Sequence, residues 1–412
     1  MNKIIEILFI MSVIFIGADR INLLPSNLFD FQFSPYLLIS LVLVLLILLF
    51  KPRDIKFSWL YKNEYLLPSL ILFLIFVSIS VILSADIYFS FKRFILLLYI
   101  IVSLIIILSS FERSKIRNVL YIGSILGSVL FYLFNHFLLQ EWIGNIHANN
   151  IFINISPDTL GHFIPRLGGF STDVNRGAFV LVFFTFLIFT TNIKSIISKI
   201  VIFLNTFFIM VTLSRSAILL YILTFVIYSL YFLKKKEKIN VLALFLFTLF
   251  IFYFIVNNLF PLDYVDISSA LNERLSISNT NHDSSASIHL KLLVEGFSIL
   301  MSDIKLFVFG SGHGTSFYLI EGFEMAGKKN ANFHSQYLSV FIENGIISVM
   351  FFLFLTILYP LYIGLNKYLP LLIGAFFFNL LYQLINEPAY WLMIFIFYIS
   401  SMKYQNNIKL KL

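Results

Sequence analysis

Apolar runs of about 17 to 20 residues return along the whole of this 412-residue chain, and that is the length an α-helix needs to cross the hydrocarbon of a bilayer. The runs are continuously apolar rather than alternating, and an open sheet edge in lipid would leave backbone groups unsatisfied, so spanning strands are excluded. Composition agrees: 59% of residues are hydrophobic and 12% charged, too few charges to clothe a water-soluble domain of this length. The 50 Phe and 21 Tyr are read as lipid-facing and packing residues rather than as a binding feature. The net charge of +8 is explained by where the cations sit, so no nucleic-acid partner is expected. Cysteine is absent, which excludes disulfides and thiolate metal sites. Lys3 followed by the run Ile4–Ile16 resembles a signal peptide but has no small-residue cleavage site after it, and is read as an uncleaved first helix.

The expected fold class is an all-α polytopic integral membrane protein, one domain over 1–412, with about twelve spans. They are Ile4–Gly17, Ser34–Phe50, Leu66–Leu83, Phe94–Ser109, Val119–Leu139, Gly177–Phe189, Ile196–Leu213, Ala217–Leu233, Ile239–Phe260, Gln336–Tyr359, Leu369–Ile385 and Ala389–Ser401. An even number puts both termini on one side. Placing that side in the cytoplasm collects 18 of the 29 Lys and Arg there, including the clusters Lys51–Lys62, Arg113–Arg117 and Lys234–Lys238, as the positive-inside rule requires. Two sizeable loops then face outward, 140–176 and, between the ninth and tenth spans, 261–334. Loops carry function, so the chemistry is expected on that face.

Four polar elements stand out there. Pro165–Gly177 carries Arg166, Asn175 and Arg176 beside glycines, and a helix starting at Gly177 would offer free N–H groups to a phosphate; a snorkelling Arg and an Asn or Asp helix cap would explain it equally. Thr212–Ala217 is a tight connection in which Arg215 has little room to reach water and would need an anionic partner, unless it is an ordinary loop arginine. In the large loop, Ser285–Ser302 reads as an amphipathic helix with the stripe Ile288, Leu292, Leu293, Phe297 and Leu300, and His289, Lys291 and Glu295 off it. It is expected to lie along the membrane and roof a cavity. A strand-like Leu306–Phe309 and the glycine-rich Gly310–Gly314, with His313, follow. Finally His334 stands at the outer mouth of the tenth span, where a His can act as a general base, with Glu343 nine residues on and Glu387 in the last outer turn. No metal-ligand spacing is seen.

In their order, the Arg166…Gly-Gly-Phe…Asn175 segment, Thr-x-Ser-Arg215, the loop ending in Gly310-x-Gly312, and His334-Ser335 followed by Gly345 resemble the O-antigen polymerase and O-antigen ligase superfamily. Arg166 to Gly177 also matches an Arg-x10-Gly element of some polymerases, whereas Ser348 departs from the final position of the ligase pattern. The resemblance implies a GT-C-like, metal-independent, inverting glycosyltransferase of the bacterial inner membrane, without cofactor. It implies an undecaprenyl-pyrophosphate-linked oligosaccharide donor, a lipid-linked acceptor, and a chain-length regulator and a flippase as partners. His334, Arg215 and Arg166 are the expected catalytic residues, and Arg176, Asn175, Arg274, His289, His313 and Glu343 the expected substrate-binding ones; Arg274 supplies a loop cation that relatives carry nearer the amphipathic helix. Polymerase is the leading activity. Ligase, with lipid A–core as acceptor, is the alternative, and a lipid-oligosaccharide flippase is a third reading that predicts charged spans and short loops.

Overall fold

The computed structural model describes residues 1–24, 33–145, 152–160, 164–235, 237–238, 285–320 and 333–408. Expectations for the span Ile239–Phe260, for Arg274 and for the side chain of His289 lie outside the described residues. Helices dominate, because in apolar surroundings a segment must satisfy its own backbone. They are α1 (Asn2–Ile14), α2 (Pro35–Phe50), α3 (Ser58–Lys62), α4 (Leu66–Ile82), α5 (Ile87–Ser109), α6 (Arg113–Trp142), α7 (Val174–Asn192), α8 (Ile196–Val211) and α9 (Arg215–Phe232). After these come α10 (Ser285–Ser302), α11 (Ile304–Phe309), α12 (Gln336–Leu353), α13 (Tyr359–Ile363), α14 (Leu369–Asn379) and α15 (Pro388–Ile408). A hairpin of β1 (Asp158–Leu160) and β2 (Ile164–Arg166) pairs Asp158 opposite Arg166.

Among the described residues five helices are long and apolar enough to cross a membrane, or six if the bent pair Pro35–Phe50 and Pro52–Lys62 is one span. Of the other expected spans, α1, α4, α8, α14 and the apolar stretch Pro388–Ser401 of α15 are each under 18 residues, and Ile239–Phe260 lies outside the described residues. The α14 run is the clearest case: it was expected to reach Ile385, but the helix ends at Asn379 and residues 380–387 turn back toward α15.

α7 is the central helix, buried on every face from Gly177 to Phe189. α6 lies against it through Gly127, whose hydrogen occupies space that a Cβ would contest with the Phe184 ring at 2.5 Å. The apolar stretch of α15 is nearly as enclosed. Outward-facing leucines such as Leu41, Leu45 and Leu48 on α2 are left exposed, the pattern of side chains that meet lipid.

The connections gather at two ends. At one, Lys56 N–H bonds the Ser109 carbonyl (2.7 Å), Asn63 donates to the Tyr398 carbonyl (3.3 Å) and Lys367 to the Thr190 carbonyl (3.4 Å). At the other meet residues 15–22, 83–86, 152–160, 164–173, 212–215, 303–316, 333–336 and 380–388, and this end carries the residues singled out above.

Local structure corrects three expectations. Leu306–Phe309 is helical, not strand-like, because Asp303 caps it by accepting from the N–H groups of Lys305 (2.8 Å) and Leu306 (3.3 Å). α10 has the bounds expected for the amphipathic helix, but its inward stripe is Leu292, Leu293, Gly296, Ile299 and Leu300, packed on Phe333, Leu338 and Ile342; Phe297 is 52% exposed. α7 starts at Val174 rather than Gly177, capped by Asp173, which accepts from Asn175 N–H (2.8 Å) and Arg176 N–H (3.1 Å).

Candidate functional site

The head of α7 is the centre of a charge network. Because Asp173 already occupies the free N–H groups, this helix start does not offer them to a phosphate. One turn in, Arg176 faces two carboxylates at 2.9 Å each, Asp19 from the exit of α1 and Glu387 from the α14–α15 turn. Asp19 also accepts from the Thr172 N–H (2.6 Å) and hydroxyl (3.0 Å). Burial pushes the Glu387 carboxyl up from its ordinary value, and the Arg176 guanidinium opposes that shift. Arg176 is therefore a structural clasp across three segments.

Its neighbour Asn175 accepts from the Ser214 hydroxyl at 2.7 Å, tying the head of α7 to the α8–α9 turn. That turn is held tight by Leu213 at φ +53°, and Ser214 caps α9 through the Ala217 N–H. Arg215 follows as the first helical residue and is exposed, which corrects the expectation that packing keeps it from water. A cation at a helix N-terminus opposes the helix dipole, so both charges there favour an approaching anion.

Arg166 lies on the hairpin, 8% exposed, with one terminal nitrogen 2.7 Å from Asp158 and Nε without a hydrogen-bond partner among the described residues. The segments on either side of the hairpin are held by Arg20, which is 2% exposed and donates to the carbonyls of Gly169 (2.9 Å), Asn154 (3.1 Å) and Ser156 (3.0 Å).

His334 is placed by strain and burial together. It sits at φ +50°, uncommon for a residue with a Cβ and concentrated at functional sites. It stands between buried Phe333 and Ser335, whose hydroxyl caps α12. Burial lowers the pKa of its imidazole below the ordinary histidine value, and the Asp173 carboxylate works against that shift. The carboxylate that caps α7 therefore acts electrostatically on the His334 ring.

Beneath them α12 is broken. Gly345 adopts φ +77°, ψ 172° inside the helix. The carbonyls freed on its N-terminal side are claimed by the glycine-rich turn: Ser311 N–H bonds Ile342 (2.8 Å) and Gly312 N–H bonds Glu343 (2.9 Å), which also accepts from the Ser80 hydroxyl. The Glu343 carboxylate, 1% exposed, accepts from Gly314 N–H (2.9 Å) and the Ser316 hydroxyl (2.7 Å). His313 is fully enclosed, 3.7 Å from Glu343, with Asn386 at 3.3 Å and Asn344 at 3.5 Å. Burial lowers its pKa, Glu343 and the two asparagines oppose this, and the nearby Arg93 guanidinium adds to it.

The structure therefore brings Asn175, Arg176, Arg215 and His334 to one end, with Arg166 on the hairpin and with His313 and Glu343 buried. Asp19, Arg20, Arg93, Asp158 and Asp173 were not singled out by sequence reasoning as site residues. For the Asp19-Arg20 pair a signal existed: two opposite charges directly after the first apolar run.

A helical chain of apolar segments with a polar, partly charged site at one end of the bundle is a multi-pass membrane protein. Residues 200–353 match the family model described as O-Antigen ligase, in agreement with the motifs. The matched stretch contains Arg215, His313, His334 and Glu343 and leaves out Arg166, Asn175 and Arg176. No curated protein matches the chain.

Proposed function

We propose that the protein is a surface-polysaccharide polymerase, an inverting glycosyltransferase that joins lipid-linked repeat units on the periplasmic face of the bacterial inner membrane. Both termini and the basic end lie in the cytoplasm, and about twelve spans in a GT-C-like arrangement carry the site outward. The donor sugar is carried on undecaprenyl pyrophosphate. An acceptor hydroxyl attacks the anomeric carbon, the bond to the pyrophosphate oxygen breaks, and the hydroxyl proton passes to a base. Pyrophosphate is already a weak base, so the leaving group needs charge stabilisation and no acid, and the step is metal-independent.

His334 is the base: a neutral imidazole in a strained position beside Asp173, which steadies the imidazolium that forms. Arg215 is the primary pyrophosphate cation, since a guanidinium fork matches phosphate oxygens and this one is exposed at the head of α9. Arg166, paired with Asp158 on the hairpin, is the second. The observation that carries the reading is the Asn175–Ser214 bond, which ties the head of α7 to the turn bearing Arg215, together with His334 at φ +50° under the influence of the Asp173 carboxylate that caps α7; Ser214, Arg215 and His334 fall in the matched family segment.

The alternative is a ligase that transfers finished polysaccharide to lipid A–core, an activity of the class that the family model's description names; a flippase gains no support from it. Surface polysaccharide from a deletion strain, run on a gel, separates the two enzymes. A single repeat on the core indicates a polymerase, and a bare core with polymer retained on its carrier indicates a ligase. His334→Ala and Arg215→Ala, at normal protein level, are expected to abolish the product in complemented cells. Normal product from both variants refutes the mechanism.

A further inference from the structure

We propose that Glu343 is a positioning residue whose buried carboxylate latches the 310–316 turn into the break of α12 and so sets His334, without itself touching substrate. The proposal rests on the glycosyl-transfer reading of the site and reassigns a residue that sequence reasoning places against substrate.

An acid that binds sugar hydroxyls turns at least one oxygen toward open space. Here Oε1 accepts from Ser316, and Oε2 accepts from Gly314 N–H with His313 Nδ1 at 3.7 Å on the same oxygen. All three partners belong to the turn. The glycines make the fit possible: a Cβ on Gly310 would lie 2.3 Å from the Glu343 carbonyl oxygen, and one on Gly345 2.1 Å from that of Val308. Turn and helix break are interlocked, and the carboxylate closes the lock.

The lock reaches His334 by packing. α11, just before the turn, contributes Leu306 to the cluster that holds Phe333, Leu338 and Ile342. Phe333 precedes His334, and Ile342 precedes Glu343. Releasing the turn loosens α11 from Phe333, and the positive φ at His334 persists only while its surroundings impose it. His313 extends the latch to Asn386, the residue before Glu387 in the Arg176 clasp.

The test uses the absence of cysteine from the whole chain. Ser90 on α5 is fully buried beneath Gly312, and its hydroxyl has no hydrogen-bond partner among the described residues, so Ser90→Cys is a mild reporter of whether the turn is seated. In spheroplasts carrying this full-length reporter, a small anionic thiosulfonate should label Glu343→Ala at least tenfold faster than the parent, and Ser316→Ala at an intermediate rate. Glu343→Gln should stay near the parent rate, because an amide can accept from Gly314 N–H and donate to the Ser316 oxygen. Polysaccharide chain length should fall in the same order and be rescued by the Gln variant. Loss of polymer in Glu343→Ala with the reporter still protected would mean direct action on substrate and overturn the latch. So would loss in Glu343→Gln with the turn closed, or normal polymer with the turn open. If the deletion strain has unchanged surface polysaccharide, the proposed function fails, while the labelling rates still decide whether the latch exists.

Discussion

Replacing Gly345 by Ala probes the helix break most directly, and Gly364→Ala supplies the control. Both glycines have positive φ with ψ near 180°, at +77° and +94°, a region that residues with a Cβ occupy only at a cost of about 1–3 kcal/mol. They differ in their surroundings. A Cβ at Gly364 meets nothing within 4 Å, whereas one at Gly345 would lie 2.1 Å from the Val308 oxygen, 2.6 Å from its carbon and 2.9 Å from the Phe309 nitrogen. Those are backbone atoms of α11, so relief requires moving that helix and weakening the Ser311–Ile342 and Gly312–Glu343 hydrogen bonds. Forced overpacking costs about 1–3 kcal/mol and each weakened hydrogen bond about 0.5–1.5 kcal/mol. Gly345→Ala should therefore lose about 2–6 kcal/mol more than Gly364→Ala. At roughly 2 °C per kcal/mol, the low end for larger domains, its Tm should lie about 4–12 °C lower. Heating the purified protein in detergent and following the folded peak by size exclusion measures the difference. Two variants that melt within about 1 °C of each other would refute the interlocked geometry.

Four further outcomes follow from the same site. Arg176→Met leaves Asp19 and Glu387 facing each other without a cation, which should cost about 3 kcal/mol, the lower end for a breached buried pair because these side chains keep some exposure; adding Glu387→Gln should recover part of it in the same melting assay. The His334 pKa is lowered by burial, so the base is neutral above that depressed value, and chain extension in isolated membranes should rise with pH only below about 6.5 and stay level to pH 8. Asp173→Asn keeps a good helix cap but removes the charge that raises the His334 pKa, so the acid limb should move to still lower pH; a limb that moves upward contradicts the proximity. Arg20→Met removes three hydrogen bonds to the 154–169 segment and should make that segment protease-sensitive on the outer face, a change read by limited digestion and gel.

Several site features were legible before any coordinates. The bounds of α10 follow from its polar and apolar periodicity, and the flanking Gly310–Gly314 announces a turn. Asp173 and Asn175 are residue types that cap helices, which is how the structure uses Asp173. What misled was range. An apolar Leu306–Phe309 looks the same as strand or helix over so few residues, and the Asp303 cap decides it. Arg215 was expected to be confined because neighbouring runs are apolar, but its place as the first residue of α9 points it outward.

By itself the sequence determined that this chain is helical and membrane-embedded, which end of it is basic, and where the polar residues stand along each run. These are one-dimensional properties, set by hydropathy, length and charge. Only the tertiary structure decided that Arg176 is clasped by Asp19 and Glu387, from positions 157 residues before and 211 after it, that the Asp173 carboxylate acts on the His334 ring, and that Glu343 is consumed by the 310–316 turn. Each of these depends on which helix ends share a face of the bundle, and that is settled by side-chain packing between segments far apart in the chain, which no local pattern encodes.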